Sequence, residues 1–418
     1  MRPPKRAFVY TVDFFPQKDG NGRDMRAFSN VRAYLDLGYQ TELVHIRTGP
    51  GYREPEARMD GLKTIIMDAG GHRRSGFQHA AYLARFPLDS ACAFYYKSRD
   101  ALLSAARERQ LQWPSAIHHF ETLPAAHVVP WLPGANTVFS CLEIASDLVE
   151  RGIRIDAEVE KRAIHPWEAR KIAFLRKIER TVAKHSSIVL CVTKTDAAAI
   201  RGLWSCTTAE YLPLSMPDET IAARVRPRLA DGKFEVLHLG QIHHLPTFRS
   251  LTFLFEQVLP RLSADIMRRI RLNIVGPIGD DVRSSRLQEM GARFPQGKFL
   301  GRVPDLRPIY GWNDVQIVAS TEATGIRSRI IESLAYGLPV LSSKVAANGI
   351  EGLRDGENML LAETADQFLA QLNQLLGSAS AKLERLAVEG RALYEARYSR
   401  KVAANSLERI VKTLDQGG

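Results

Sequence analysis

Two arginines and a glutamate at helical spacing are the residues of this chain whose chemistry is easiest to interpret. Arg327, Arg329 and Glu332 follow an apolar run, Val315 to Ala319, that predicts a strand. A junction of strand and helix leaves backbone N–H groups unpaired beside the positive end of the helix dipole, which attracts phosphate. On a helix that starts near Gly325, Arg329 and Glu332 share a face and can meet one ligand. We expect arginine to hold a diphosphate there and the carboxylate to bind a ribose diol.

A surface ion pair is the alternative explanation of the same residues. Arg329 and Glu332 stand at positions i and i+3, where an exposed pair contributes only about 0.2–0.5 kcal/mol. The spacing alone leaves both explanations open.

The motifs around this helix, taken in order, resemble those of family 4 glycosyltransferases. The run Gly-Ile-Arg-Ser-Arg-Ile-Ile-Glu from Gly325 to Glu332 is similar to the subgroup motif Gly-Ile-Arg-x-basic-Ile-x-Glu. The likeness covers nearly the whole chain and includes the strand ending at Gly240 and a glycine-rich turn after the first strand, Gly20-Asn21-Gly22. It implies a nucleotide diphosphate sugar as substrate, retention of configuration and no metal or other cofactor. It also implies that a defined set of residues binds the donor: Gly20, Asn21, Gly22, Gly240, Gly325, Ile326, Arg327, Arg329 and Glu332.

Two positions depart from the pattern of that family. Thr324 stands where the commoner pattern has a glutamate, and Glu322 lies two residues earlier. Gln241 to Pro246 replaces the segment that usually carries an arginine and a lysine for the donor phosphates. We therefore assign the phosphates to Arg327 and Arg329, with His243 or His244 as the weaker candidates.

A second cluster follows a predicted strand in the first half of the chain. His118, His119 and Glu121 lie where the resemblance places residues that contact the transferred sugar or the acceptor. A neutral imidazole can orient a hydroxyl and a carboxylate can bind a sugar ring, so we expect these three as catalytic residues. A core histidine beside a loop carboxylate explains them equally well.

Composition indicates a globular chain with an anionic partner. The 418 residues are 45% hydrophobic and 25% charged, enough for two domains with full cores. The formal net charge of +11 suits nucleic acid, anionic lipid or an anionic sugar donor. Trp167 to Lys184 predicts an amphipathic helix with a basic face, which is either a solvated surface or a docking face for an anionic membrane.

The chain shows no targeting or metal signature at its start or among its cysteines. The apolar run near the N-terminus is cut by Asp13, too short for a signal peptide or a membrane span. The four cysteines, Cys92, Cys141, Cys191 and Cys206, form no close pair, which fits reduced thiols and no zinc site. We expect a cytoplasmic protein, possible contact with the inner membrane face, and no structural metal.

Alternating strand and helix patterns predict two doubly wound α/β domains. The first-half strands are predicted at 8–12, 41–46, 64–67, 116–119, 137–141 and 188–192, and the alternation resumes at Phe234. A proline-rich stretch marks the join, so we expect Rossmann-like domains at 1–212 and 213–397 that face a cleft, the architecture called GT-B. Following the resemblance, the C-terminal helix, 398–418, should cross back onto the first domain.

The sequence thus predicts a glycosyltransferase that acts on a glycan or lipid-linked acceptor in cell-envelope polysaccharide or glycolipid synthesis. Two alternatives remain. A nucleotide-sugar epimerase of the same architecture would need acid and base groups around the sugar, which the sequence does not place clearly. A non-enzymatic binder of nucleic acid or of an anionic surface would explain the charge, but the basic residues are not interleaved with aromatics as in nucleic-acid-binding modules.

Overall fold

The chain forms two α/β units in the computed structural model, which describes residues 4–17, 22–49, 59–69, 97–159, 161–216, 232–242, 244–321, 326–377 and 379–414. The first unit comprises Met1–Ser215 and Ala403–Gly418, and the second comprises Met216–Val402. The sequence places the corresponding boundaries a few residues earlier, at 212 and 397.

A parallel sheet of seven described strands forms the centre of the first unit. The strands are β1 (Arg6–Val12), β2 (Gln40–Arg47), β3 (Lys63–Asp68), β4 (Ile117–Glu121), β5 (Asn136–Cys141), β6 (Ile188–Cys191) and β7 (Ala209–Tyr211). Their order across the sheet is β3-β2-β1-β4-β5-β6-β7. Side chains alternate along β1, because successive residues of a strand point to opposite faces: Phe8 and Tyr10 join one apolar layer, Ala7 and Val9 the other.

Six described helices accompany this sheet, as parallel strands require long crossover connections. They are α1 (Gly22–Asp36), α2 (Arg99–Gln112), α3 (Leu123–Ala126), α4 (Ala145–Val159), α5 (Pro166–His185) and α6 (Lys194–Trp204). The amphipathic helix predicted from Trp167 is confirmed as α5, with Leu175 and Val182 buried and Arg170 and Lys177 exposed.

The second unit repeats the architecture with six described strands. They are β8 (Phe234–Leu239), β9 (Ile270–Val275), β10 (Gly297–Gly301), β11 (Val315–Val318), β12 (Val340–Ser343) and β13 (Leu360–Ala362), in the order β10-β9-β8-β11-β12-β13. The helices are α7 (Leu245–Phe253), α8 (Ala264–Arg269), α9 (Val282–Ala292), α10 (Arg307–Trp312), α11 (Ser328–Ala335), α12 (Lys344–Ala347), α13 (Ala365–Gly377) and α14 (Ala379–Arg397).

The last helix, α15 (Arg400–Val411), packs on the first unit. Its Ala404, Leu407 and Ile410 are buried in the apolar layer that contains Val9 and Tyr34. The predicted return of the C-terminal helix to the first domain is therefore confirmed. No helix among the described residues is long and apolar enough to cross a bilayer.

Candidate functional site

The second sheet changes direction between β8 and β11. From β8 the chain builds β9 and β10 on one side and then returns to place β11 on the other. Where a parallel sheet reverses its strand order in this way, the loops after the two central strands diverge and open a crevice at their carboxyl ends. The residues that follow β8 and β11, including Gly240 and Ser320, lie at this switch point.

Arg329 connects the two sides of the switch point. It stands in the first turn of α11, and its Nη1 donates a hydrogen bond to the carbonyl oxygen of Leu239, the last residue of β8. Burial, followed by the positive charge of Arg327, lowers the pKa of Arg329 to about 10. The guanidinium is therefore positively charged at neutral pH, and neighbouring groups balance this charge only in part, which favours the approach of an anion.

Arg327 brings a second cation to the same place. It occupies the N-cap position of α11 without a side-chain cap, and its Nη2 donates to Oγ of Ser320 at 3.3 Å. The predicted start of this helix near Gly325 is corrected by the structure, in which the helical turns begin at Ser328. Two guanidinium groups and the amino end of an eight-residue helix thus converge after β11.

Gly240 leaves the space that the Arg329 side chain fills. A Cβ added at Gly240 would overlap Nη1 of Arg329 and lie 2.7 Å from Oγ1 of Thr247. A Cβ at Gly276, after β9, would overlap the carbonyl oxygen of Gly240, and Gly276 has a φ of +147°. Glycine at position 276 lets the loops after β8 and β9 pack directly against each other.

Glu332 lies one turn along α11, against a buried tyrosine. Tyr310 of α10 is completely enclosed, and burial, followed by the charge of the Glu332 carboxylate, raises the pKa of this tyrosine well above its usual range. Tyr336 stacks on Tyr310 with ring centroids 4.4 Å apart and planes 7° from parallel. Glu332 itself is half-buried, so its carboxylate is partly open to a ligand.

Residues 233–378 match the family model described as glycosyl transferases group 1. We refer to this matched segment as the group 1 domain. It contains the switch point, α11 and all of the donor-binding residues predicted after position 233. No curated protein matches the chain significantly in sequence.

Several solved structures are similar to this chain over nearly its whole length. A sucrose-phosphate synthase from Thermosynechococcus elongatus is similar over 99% of this chain and 100% of its own, at 14% identity and a TM-score of 0.74. Anabaena HepE in complex with UDP and glucose covers 98% of this chain and 100% of its own, at 13% identity and 0.66. Trehalose-6-phosphate synthase from E. coli bound with UDP-2-fluoro glucose covers 99% of each chain, at 13% identity and 0.66. At these identities the likeness shows the fold, and the predicted two-domain α/β architecture is confirmed.

The structure brings together some of the predicted donor-binding residues. Gly240, Arg327 and Arg329 meet in the group 1 domain, with Ile326 just before α11 and Glu332 one turn along it. Gly22 is the first residue of α1 in the other unit. Seven residues named in the sequence analysis lie outside the described part of the chain: Gly20, Asn21, Cys92, His243, Glu322, Thr324 and Gly325.

His118, His119 and Glu121 lie along β4, inside the first unit, and are completely buried. His118 Nδ1 pairs with the Tyr10 hydroxyl at 2.9 Å and His119 Nδ1 with the Tyr34 hydroxyl at 3.0 Å. Burial lowers the pKa of His118 to about 4 and that of His119 to about 3, and it raises the pKa of Glu121. This burial favours the core explanation, although Glu121 belongs to a strand and not to a loop. Contact of these residues with an acceptor stays a prediction.

Sequence reasoning missed the residues that surround Glu121. Asn30 of α1 donates to Glu121 Oε1 at 2.7 Å, and the buried Arg26 donates through Nη1 to the carbonyl oxygens of Leu212 and Pro213, at 3.1 and 2.8 Å. Arg26, Asn30 and Tyr34 recur at intervals of four residues, which places them on one face of a helix. That spacing is the sequence signal that could have identified these residues as one group.

Proposed function

We propose that the protein is a retaining glycosyltransferase of family 4 that moves a sugar from a nucleotide diphosphate donor to a glycan or lipid-linked acceptor in envelope glycan synthesis. The observation that carries this proposal is the Arg329 guanidinium, held against Leu239 at the switch point with Arg327 beside it. The group 1 domain match supports it, as do the similar structures solved with UDP or a UDP-sugar.

The cationic end of α11 suits a leaving nucleotide diphosphate. As the bond from the anomeric carbon to the phosphate oxygen breaks, negative charge grows on that oxygen, and Arg327, Arg329 and the helix N–H groups are already oriented to stabilise it. Preformed donors cost little reorganisation during the reaction. In the proposed mechanism the acceptor oxygen forms the new bond to the anomeric carbon, and its proton passes to the donor phosphate.

Glu332 is placed to select a ribonucleotide. A carboxylate accepts two hydrogen bonds from a ribose diol, and the buried Tyr310 on its other side restrains it. In this proposal the diphosphate meets Arg327 and Arg329, while the ribose meets Glu332 one turn further along α11.

Isothermal titration with UDP, GDP and ADP tests the nucleotide site. We expect at least one to bind, and Glu332→Gln to weaken that nucleotide several-fold while leaving its 2′,3′-dideoxy analogue unaffected, because only the diol contacts the carboxylate. Failure of every nucleotide to bind would contradict the proposal. An equal loss of affinity for the nucleotide and for its dideoxy analogue would show that Glu332 does not contact the ribose diol.

We also propose that α5 docks the protein on an anionic membrane, where a lipid-linked acceptor would be held. Its exposed face carries Arg170, Lys177 and Lys184, whereas its two acids, Glu168 and Glu179, are buried. Each basic residue near such a surface contributes about 1 kcal/mol. The protein should sediment with vesicles that contain phosphatidylglycerol and should not sediment with neutral phosphatidylcholine vesicles. Docking through α5 would be contradicted if the variant carrying Lys177→Glu and Lys184→Glu sedimented with the phosphatidylglycerol vesicles as much as the wild type does.

A further inference from the structure

Thr247 carries a buried hydroxyl with no hydrogen-bond partner among the described residues. It lies in the first turn of α7, immediately after β8, and only 1% of its surface is exposed. No described residue forms a hydrogen bond with its Oγ1. Because an unpaired buried hydroxyl destabilises a protein, its presence beside the switch point suggests a partner that arrives with a ligand.

The hydroxyl faces the same glycine as the Arg329 guanidinium. Oγ1 of Thr247 lies 2.7 Å from the position of a Cβ added at Gly240, and that position would also overlap Nη1 of Arg329. One side chain comes from the helix after β8 and the other from the helix after β11. The hydroxyl and the guanidinium therefore both lie against Gly240.

The groups beside Gly240 include several hydrogen-bond donors. Arg329 has only N–H donors. The nine-residue helix α7 begins at Leu245, and its N-cap residue His244 provides no side-chain cap, so the first turn presents backbone N–H groups except at Pro246, which has none. Donors and a helix amino terminus attract an oxygen anion. Since a hydroxyl can donate as well as accept, an oxygen anion is a partner that the Thr247 hydroxyl and these donors can share.

We propose that Thr247 is a further donor-binding residue, whose hydroxyl donates to a phosphate oxygen of the bound nucleotide diphosphate opposite Arg329. This inference rests on the proposed function and adds a contact from the β8 side of the switch point. Two helix amino termini, those of α7 and α11, then meet the diphosphate together with one hydroxyl and two guanidinium groups.

Thr247→Val tests the contact, because valine keeps the shape of threonine and removes only the hydroxyl. We expect the affinity for whichever of UDP, GDP or ADP binds the wild type to fall about tenfold or more, as for loss of a hydrogen bond to a charged group. Affinity for the corresponding nucleoside, measured by competition, should not change. The melting temperature should stay the same or rise, since the variant no longer buries an unpaired hydroxyl. Thr247→Ala should lose affinity in the same way, and Thr247→Ser should retain it.

Thr252→Val is the matched control. Thr252 lies on the same helix and also has a buried hydroxyl to which no described residue hydrogen-bonds, but it lies five residues further along, away from the amino terminus. We expect its nucleotide affinity to equal that of the wild type. Unchanged affinity in both Thr247→Val and Thr247→Ala, or an equal loss in Thr252→Val, would overturn the inference and leave the proposed function standing. A wild type that binds none of the three nucleotides would overturn both.

Discussion

The two units place different side chains at the same point of one topology. Each sheet changes direction beside its first strand, between β1 and β4 in the first unit and between β8 and β11 in the second. In the first unit the charged groups near that point include Arg26 and Glu121, which are opposite in sign and completely buried. In the second unit they include two like charges, Arg327 and Arg329, which are half-buried.

This contrast separates a polar core from a binding site. A buried cation beside a buried acid is neutral as a pair, and Asn30 gives Glu121 a further hydrogen bond. Two neighbouring guanidinium groups repel each other, and an anion that binds between them relieves that repulsion. Arginine and glutamate occur at both points, so burial and charge balance distinguish the two places better than residue type does.

Arg329→Gln should reduce nucleotide affinity more than any other substitution proposed in this Discussion, because it removes the cation that connects the two sides of the second switch point. A hydrogen bond to a charged partner contributes about 1.5–3 kcal/mol. We therefore expect the affinity for the bound nucleotide diphosphate to fall roughly 10- to 150-fold. The melting temperature should not fall, since the substitution also relieves repulsion from Arg327. Titration calorimetry and thermal unfolding measure the two effects.

Arg293→Gln is the control for a general loss of charge. Arg293 is exposed at the end of α9, in the same unit. Its variant should bind nucleotide like the wild type. If Arg329→Gln lost stability but bound nucleotide normally, Arg329 would be a structural residue and the second switch point would resemble the first.

His119→Gln should have the opposite signature, a loss of stability with unchanged nucleotide affinity. The substitution disturbs the buried pair with Tyr34, which we expect to lower the free energy of unfolding by about 1–2 kcal/mol at pH 7. Urea unfolding followed by tryptophan fluorescence measures this. His185→Gln, at an exposed position of α5, should leave the unfolding curve unchanged.

The pH dependence of stability sharpens this prediction. Burial lowers the pKa of His119 to about 3, far below the value of about 6.5 in an unfolded chain. The native state therefore resists protonation, so the stability contribution is complete above pH 6.5 and is lost as the pH falls towards 3, by at most about 1.4 kcal/mol per pH unit. His119→Gln should flatten that acid slope. Loss of transferase activity at full stability would instead support the predicted contact with an acceptor.

Most of the fold was predictable because its signals are local. Apolar runs such as Phe8 to Val12 identify buried parallel strands, and the observed β1 extends the run by only two residues. Gly337 follows α11 with a φ of +63°, the left-handed conformation in which glycine commonly ends a helix. The start of α11 was missed by three residues, since Arg327 is an unusual N-cap and gives no capping signal.

The site was only partly predictable because its contacts join distant segments. Arg329 and Glu332 share a helix, so their spacing made them candidates for the site. Thr247 and Tyr310 reach the site from other helices, and a threonine or tyrosine in an apolar segment looks like part of the core. Conversely, nothing in a short buried strand distinguishes histidines that pair with tyrosines from histidines that face a ligand.

Gly240→Ala should cause the smallest of the three effects, a several-fold loss of nucleotide affinity. The added methyl group would overlap the guanidinium end of Arg329, which is flexible and can move aside. The fold should therefore survive, while the cation is displaced from the position where the diphosphate is expected. Calorimetric titration of the variant measures the loss. Gly202→Ala in α6, where an added Cβ meets nothing within 4 Å, should raise stability by about 0.5–1 kcal/mol and leave binding unchanged.

A double substitution decides whether Gly240 acts through Arg329. If the methyl group weakens binding only by displacing the guanidinium, Gly240→Ala should have little further effect in a protein that already carries Arg329→Gln, because the two changes remove one interaction. Independent effects would multiply instead. They would show that the methyl group blocks the ligand or the Thr247 hydroxyl directly. The shape of the second switch point would then contribute more to anion affinity than the single cation does.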